Sequence, residues 1–213
     1  MSKPFLSIFP GTSSVTEVDK SIFCCHLAMT PTVKEADAFI RQMKKEHKGY
    51  TNASAYIVGM SGEEQRARDN GEPNGTAGQP ILAALKQAGV TNTTAVVSRK
   101  FGGHLLGANR LKKYYGGACK KAIRELGLAE WRLNKACELT IPYHFEGSVS
   151  HELKACPWLN VQEPTYTETV TYVLQLQEED LPRFKAWIQD LTHGQAQMKV
   201  LGERYVPYPS KEK

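Results

Sequence analysis

Long apolar runs are missing from this 213-residue chain. The longest, at 55–60, falls far short of the roughly 18 residues that a membrane-spanning helix needs, so no membrane association is expected. The N-terminus carries an apolar patch broken by Ser7 and Pro10 and lacks the apolar segment of about 7–15 residues found in a secretory signal. A cytoplasmic location is the expectation. Cysteine is scarce and unpatterned: the five residues Cys24, Cys25, Cys119, Cys137 and Cys156 are odd in number, two are adjacent, and no C-x-x-C occurs. That excludes a disulfide framework and a zinc ribbon, and the cysteines read as small buried hydrophobes. The six histidines (His26, His47, His104, His144, His151 and His193) show neither H-E-x-x-H nor H-x-x-x-H spacing. No G-x-S-x-G elbow and no G-x-G-x-x-G fingerprint is present. Gly102 and Gly107 have P-loop spacing, but Ala108-Asn109 stands where Lys and Ser/Thr would hold the phosphates and metal. Neither a cofactor nor a metal is expected. Compositional bias is absent too: 41% hydrophobic and 23% charged residues exclude collagenous, low-complexity and disordered chains. The length suits one large domain or two small ones.

Charge is where the sequence becomes informative. Lys plus Arg number 27 and Asp plus Glu 22, a mild net +5. From 99 to 124, however, stand eight basic residues (Arg99, Lys100, Arg110, Lys112, Lys113, Lys120, Lys121, Arg124) and no acid. Removing that +8 leaves the remainder of the chain at −3. Such concentration of one sign is a statement about partners, not fold.

Periodicity supplies the elements. Residues 20–29 read as a strand; Thr32 with Glu35 forms a capping box (Thr30-Pro31 being an alternative start) for a helix to about His47, ended by Gly49. A strand follows at 53–59, and residues 60–79, rich in Gly, Asp, Asn and Glu, read as one long loop. Pro80 opens a short helix over 81–88, 93–99 is a β-branched buried strand, and the Gly-rich stretch 101–107 leads into a helix to about Gly127. On a helical wheel Leu111, Tyr114, Tyr115, Ala118, Ala122 and Leu126 share one side. Arg110, Lys113, Lys120, Lys121 and Arg124 lie opposite with Gly117 among them, while Lys112 and Ile123 fit neither side. The basic residues thus make a stripe on the solvent face of a helix packed on a sheet.

Behind a boundary placed near 127–135, the pattern reads strand 136–143, helix 147–156, strands 160–165 and 168–175, a helix capped by Asp180, and a strand 197–205. That β-α-β-β-α-β order is the ferredoxin-like arrangement. The expected domains are 1–132 and 133–206, with 207–213 a flexible tail.

Two loops could carry chemistry. The first, ARDNGEPNGTAGQPIL, contains Gly71, Gly75 and Gly78 and ends in free N–H groups at a helix start, a ready anion site. The second, RKFGGHLLGANR, contains Gly102, Gly103 and Gly107 between Arg99 and Arg110. Together with the stripe they suggest phosphate recognition, with Phe101, Tyr114 and Tyr115 as aromatics that could stack on bases. Asp69 and Glu72 are the one suggestive carboxylate pair, suited to turn stabilisation or, in a rival reading, to Mg²⁺ and acid–base work. No catalytic residue is assigned.

Two blocks carry a resemblance. Gly71, Glu72, Pro73, Gly75, Thr76, Ala77, Gly78, Pro80, Ile81 and Leu82 form the first; Val96, Val97, Arg99, Phe101, Gly102, Gly103, Leu106, Gly107, Leu111 and Tyr114 form the second. In both, the chain resembles the IMPACT family, and within it the two-domain bacterial members of the YigZ/YvyE type. The resemblance implies an α+β protein. Its N-terminal domain would be like domain IV of elongation factor G, a left-handed βαβ-containing sheet with helices on one face, followed by a ferredoxin-like βαββαβ domain. It also implies a role in regulation of translation through nucleic acid or the ribosome. Four positions depart from the family pattern: Asn70 for an acid, Asn52 for a histidine, Lys100 for an aromatic, and Asn109-Arg110 for two glycines.

The expectation is therefore a non-enzymatic, translation-associated regulator that binds RNA or the ribosome. Arg99, Lys100, Arg110, Lys113, Lys120, Lys121 and Arg124 would contact phosphates, helped by N–H groups of Gly102 and Gly103. The rivals are a hydrolase or phosphatase using the Asp69/Glu72 loop, and a protein-interaction module docking partners through the C-terminal domain.

Overall fold

The structure, a computed structural model, describes residues 4–9, 13–156 and 158–210. The chain divides into two compact units whose main bodies are Phe5–Trp131 and Arg132–Val206. Among the described residues, no helix is long and apolar enough to cross a membrane.

The front unit is built on a five-stranded antiparallel sheet. Its strands are β2 (Ser13–Val18), β3 (Ser21–Met29), β4 (Thr51–Val58), β5 (Glu64–Arg68) and β6 (Thr93–Lys100), in the order β2-β3-β6-β4-β5. A short β1 (Phe5–Ile8) pairs separately with the start of β7 (Leu128–Ile141), placing Phe5 opposite Trp131. Helices α2 (Gly78–Gln87) and α3 (Ala108–Leu126) cover one sheet face, where Phe23, Cys25, Leu27, Ala55, Ile57 and Val97 meet Ile81, Leu85, Tyr115 and Ala122. Helix α1 (Val33–Glu46), capped by Thr32 Oγ1 accepting from the Glu35 N–H at 3.2 Å, covers the other, packing Ala36, Ile40 and Met43 on Tyr56, Val58 and Val96. The helices therefore do not all lie on one face, as the resemblance implied. Val96 and Val97 show why: successive strand residues point to opposite faces, and both of these are fully buried. A continuous apolar run is what a strand covered on both faces requires.

One further expectation needs correction. The long loop at 60–79 contains β5, an edge strand of sequence EQRAR that is largely exposed and lacks an apolar alternation to betray it. Within the range 127–135 where the boundary was expected, Gly127, at φ 79°, ends α3 and β7 begins at the next residue. Strands β1 and β2, short or polar on one side, carry too little pattern to be read.

The rear unit contains β7 from Arg132 on, helix α4 (Glu146–Lys154), the short β8 (Asn160–Val161) and β9 (Thr165–Tyr166), β10 (Val170–Leu176), helix α5 (Leu181–Leu191) and most of β11 (Gln197–Pro209). β10 lies between β7 and the β8/β9 edge, and β11 pairs with the other side of β7. Val149 and Leu153 of α4 and Phe184 and Ile188 of α5 pack over Cys137, Leu139, Leu174 and Leu176, so both helices share one sheet face. This is the ferredoxin-like arrangement. The strand expected at 160–165 is two short segments, and β11 runs on to Pro209 into the expected tail, where Ser210 N–H donates to Leu128 O at 3.3 Å. Residues 211–213 of that tail lie outside the described residues.

Candidate nucleic-acid interface

The first glycine loop is closed on itself by Asp69. One carboxylate oxygen accepts from the Gly75 N–H at 2.8 Å; the other accepts from Ala77 and Gly78, each at 2.9 Å. Burial pushes this carboxyl up, but the three backbone donors together outweigh it and hold Asp69 below the usual carboxylate range. The anion site expected at the start of α2 is thus occupied by the protein's own side chain. Gly78 is required by packing: a Cβ there would lie 2.5 Å from the Arg68 backbone nitrogen.

Glu72, three residues on, turns inward. Its Oε1 accepts from Arg99 Nη1 at 2.9 Å and from the Tyr115 hydroxyl at 2.8 Å. Both charged side chains are only 7% exposed. Burial, then the neighbouring Glu72, pushes the Tyr115 phenol far up, so it remains a donor to the carboxylate. Arg99, counted among the phosphate contacts, is therefore not one. Period 2 on β6 puts it on the same face as Ala95 and Val97, under α3, and that alternation was the available signal. Asp69 and Glu72 are both committed to holding the loop. Among the described residues no cluster of three or more His, Cys, Asp or Glu could hold a metal ion.

The second loop is held at Gly102, whose N–H donates to Ser21 Oγ at 3.2 Å and whose hypothetical Cβ would stand 2.3 Å from the Lys20 carbonyl carbon. Its N–H is accordingly not free for a phosphate. Gly103 and Gly107 adopt φ 88° and 76°, left-handed values that favour glycine. Two of the positions where the sequence departs from the family pattern, Asn52 and Asn70, make contacts of their own. Asn52 accepts from Ser98 Oγ at 2.6 Å and donates to Tyr50 O at 2.8 Å, and Asn70 donates to Asn52 O at 2.7 Å.

The remaining basic residues divide by the side of α3 they occupy. Arg110 pairs with Asp19, and Lys121 donates to Val15 O at 2.7 Å and lies 3.7 Å from Glu125. Both are drawn toward β2 and its turn. Lys113, Lys120 and Arg124 are exposed on the solvent face, with the equally exposed Gly117 between them, and enter no ion pair among the described residues. Lys100 and Lys112 are exposed nearby in sequence and likewise unpaired. Of the two residues the wheel left unplaced, Ile123 is buried and Lys112 is not; Tyr114 is half-buried against Phe23. The residues that sequence reasoning missed, Ser21, Asp19 and the hydroxyl of Tyr115, come from elements far away along the chain.

Comparison with known proteins agrees with this division into two units. Residues 19–123 match the Impact N-terminal domain, and residues 139–195 match a domain of unknown function, DUF1949. The chain is 37% identical over 183 residues to the IMPACT family member YvyE of Bacillus subtilis, covering 85% of this chain and 84% of that protein. It is 33% identical over 192 residues to the IMPACT family member YigZ of Escherichia coli, covering 89% of this chain and 94% of that one. The crystal structure of a hypothetical protein superposes with a TM-score of 0.59 at 30% identity, over 96% of this chain and 100% of that chain. Asp69, Glu72, Arg99 and Tyr115 all fall inside the first matched domain. With relatives of this similarity spanning both units, the chain belongs to the IMPACT family.

Proposed function

We propose that this protein is a non-catalytic, cytoplasmic regulator of translation that binds RNA, free or in the ribosome, through the solvent face of α3. The observation that carries the reading is the row Lys113, Lys120 and Arg124. These three exposed cations without ion pairs lie on one side of a helix and span about 17 Å at 1.5 Å per residue. A solvated face ordinarily mixes signs; this one has no acid between 99 and 124. Phosphodiester chains offer repeated negative charge at such spacing, and cations that are not already paired gain most from meeting it. The tethering of Asp69 and Glu72 into the loop supports a binding role over one in hydrolysis.

With Arg99 buried and Arg110 and Lys121 paired, about three to five phosphates are neutralised. The log–log salt dependence for single-stranded RNA should then have a slope of about −2 to −3.5. The test is a titration of labelled single-stranded RNA at several salt concentrations, for the wild type and for the triple variant Lys113→Glu, Lys120→Glu, Arg124→Glu. Loss of binding with an unchanged melting profile supports the reading. A flat salt response, or unchanged affinity of the triple variant, refutes it. Co-sedimentation with ribosomal subunits at physiological salt then tells the ribosome from free RNA.

A further inference from the structure

Arg99 lies between two phenyl rings. Its guanidinium carbon is 5.7 Å from the centroid of Phe23 and 5.4 Å from that of Phe101. Phe23 is fully buried, yet Phe101 is 56% exposed. One face of the Phe101 ring covers a buried cation, and much of the ring is left to solvent.

The ring is held there from both sides in sequence. Arg99 before it is fixed by Glu72, and Gly102 after it is pressed against the Lys20 backbone and bonded to Ser21. The surroundings are cationic. Lys100 and Lys20 are exposed beside the ring in sequence or at the turn that Gly102 touches, and the acid of that turn, Asp19, is already paired with Arg110. A fixed aromatic face among exposed cations is how proteins hold single strands: charge tracks the phosphates while bases stack on the ring. Bases in a duplex are stacked on one another and have no free face to offer. A lipid surface could use the same cations with Phe101 and the 93% exposed Leu105 as inserts. Two apolar side chains make a small membrane anchor, however, and the guanidinium beneath Phe101 holds the ring in place instead of leaving it free to insert.

We infer that Phe101 is a base-stacking platform, and that the ligand of this surface is unpaired RNA in preference to duplex. The inference rests on the reading of α3 as an RNA-binding face and adds to it the substrate class.

The experiment compares wild type, Phe101→Leu and Phe101→Trp as full-length proteins. Leucine keeps an apolar cover over Arg99 but has no π face; tryptophan keeps and enlarges it. Each is titrated with a single-stranded uridine oligonucleotide of about 12 residues, within the usual site size, with the corresponding duplex RNA, and with anionic phosphatidylglycerol vesicles. Phe101→Leu should bind the single strand about 5- to 100-fold more weakly, with the salt slope unchanged because no phosphate contact is lost. Its duplex affinity should stay within about 2-fold of wild type, and Phe101→Trp should bind the single strand at least as well as wild type. If Phe101→Leu binds the single strand as wild type does while charge reversal on α3 still abolishes binding, the platform alone is overturned. Vesicle binding that depends on Phe101, without any such effect on RNA, also overturns it in favour of a lipid surface. A wild-type protein that binds no RNA removes both this inference and the reading beneath it.

Discussion

Replacing Glu72 by glutamine withdraws one charge from a pair whose side chains are each 7% exposed. The variant keeps the side-chain shape and an amide oxygen for the Tyr115 hydroxyl, which donates to Glu72 at 2.8 Å. It leaves the Arg99 guanidinium uncompensated, with Nη2 reaching Ser21 Oγ only at 3.4 Å. Arginine does not shed its proton in proteins, so the charge stays where it is. Removing one partner of a buried ion pair costs about 3–5 kcal/mol. The retained amide oxygen places Glu72→Gln near the lower end, about 3 kcal/mol, and Glu72→Ala nearer the upper. Urea unfolding reads the total. Amide exchange resolves where the loss falls: protection in β3 and β6 should drop about 150-fold for 3 kcal/mol, while peptides within Arg132–Val206 serve as the unchanged reference. Adding Arg99→Met should restore much of the loss, because two apolar-compatible neutral groups avoid the buried unpaired charge. A Glu72→Gln protein within about 0.5 kcal/mol of wild type, or a loss that Arg99→Met does not relieve, would refute the reasoning.

Three other substitutions test the loop and its helices. Because the folded pKa of Asp69 is the lower one, its stabilisation is complete above the unfolded value of about 3.9 and is lost as pH falls through the folded value. Asp69→Asn should therefore cost about 1–2 kcal/mol at pH 7, and its melting profile should converge on that of wild type as the pH falls below that range. Gly78→Ala would bring a Cβ to 2.5 Å from backbone atoms of Arg68, which cannot yield as a flexible side chain would, and should destabilise by about 1–3 kcal/mol. Gly117→Ala, with nothing within 4 Å of its Cβ, should instead stabilise by about 0.5–1 kcal/mol. Thermal melts of the two in parallel check the contrast, and an unaltered or more stable Gly78→Ala protein would contradict the packing.

Local patterns were legible where one residue type decides one conformation. Thr32 and Glu35 marked a helix start that the structure reproduces at Val33, and Gly127 marked the end of α3. The ferredoxin-like order of the rear unit was readable because its strands alternate and its helix α5 repeats Leu181, Phe184 and Ile188. β5 was not readable, since an exposed edge strand of charged residues has no apolar face to display. The basic stripe was legible as a run of sign but not in detail. Helical spacing separates the solvent face from the buried one, yet Arg110 and Lys121 are paired by residues of β2 and its turn, which no wheel contains.

By itself the amino-acid order determined the two-unit α+β plan, the glycine-rich motifs that carry the family relationship, and the concentration of positive charge on α3. These depend on periodicity and composition, which are local properties of the chain. The tertiary structure alone decided what each charge does. Glu72 lies 27 positions from Arg99 and 43 from Tyr115, and only the packing of α3 on the sheet brings the three together. A charged side chain becomes a structural brace or a binding group according to whether a partner meets it away from water, and that depends on which distant elements the fold places beside it.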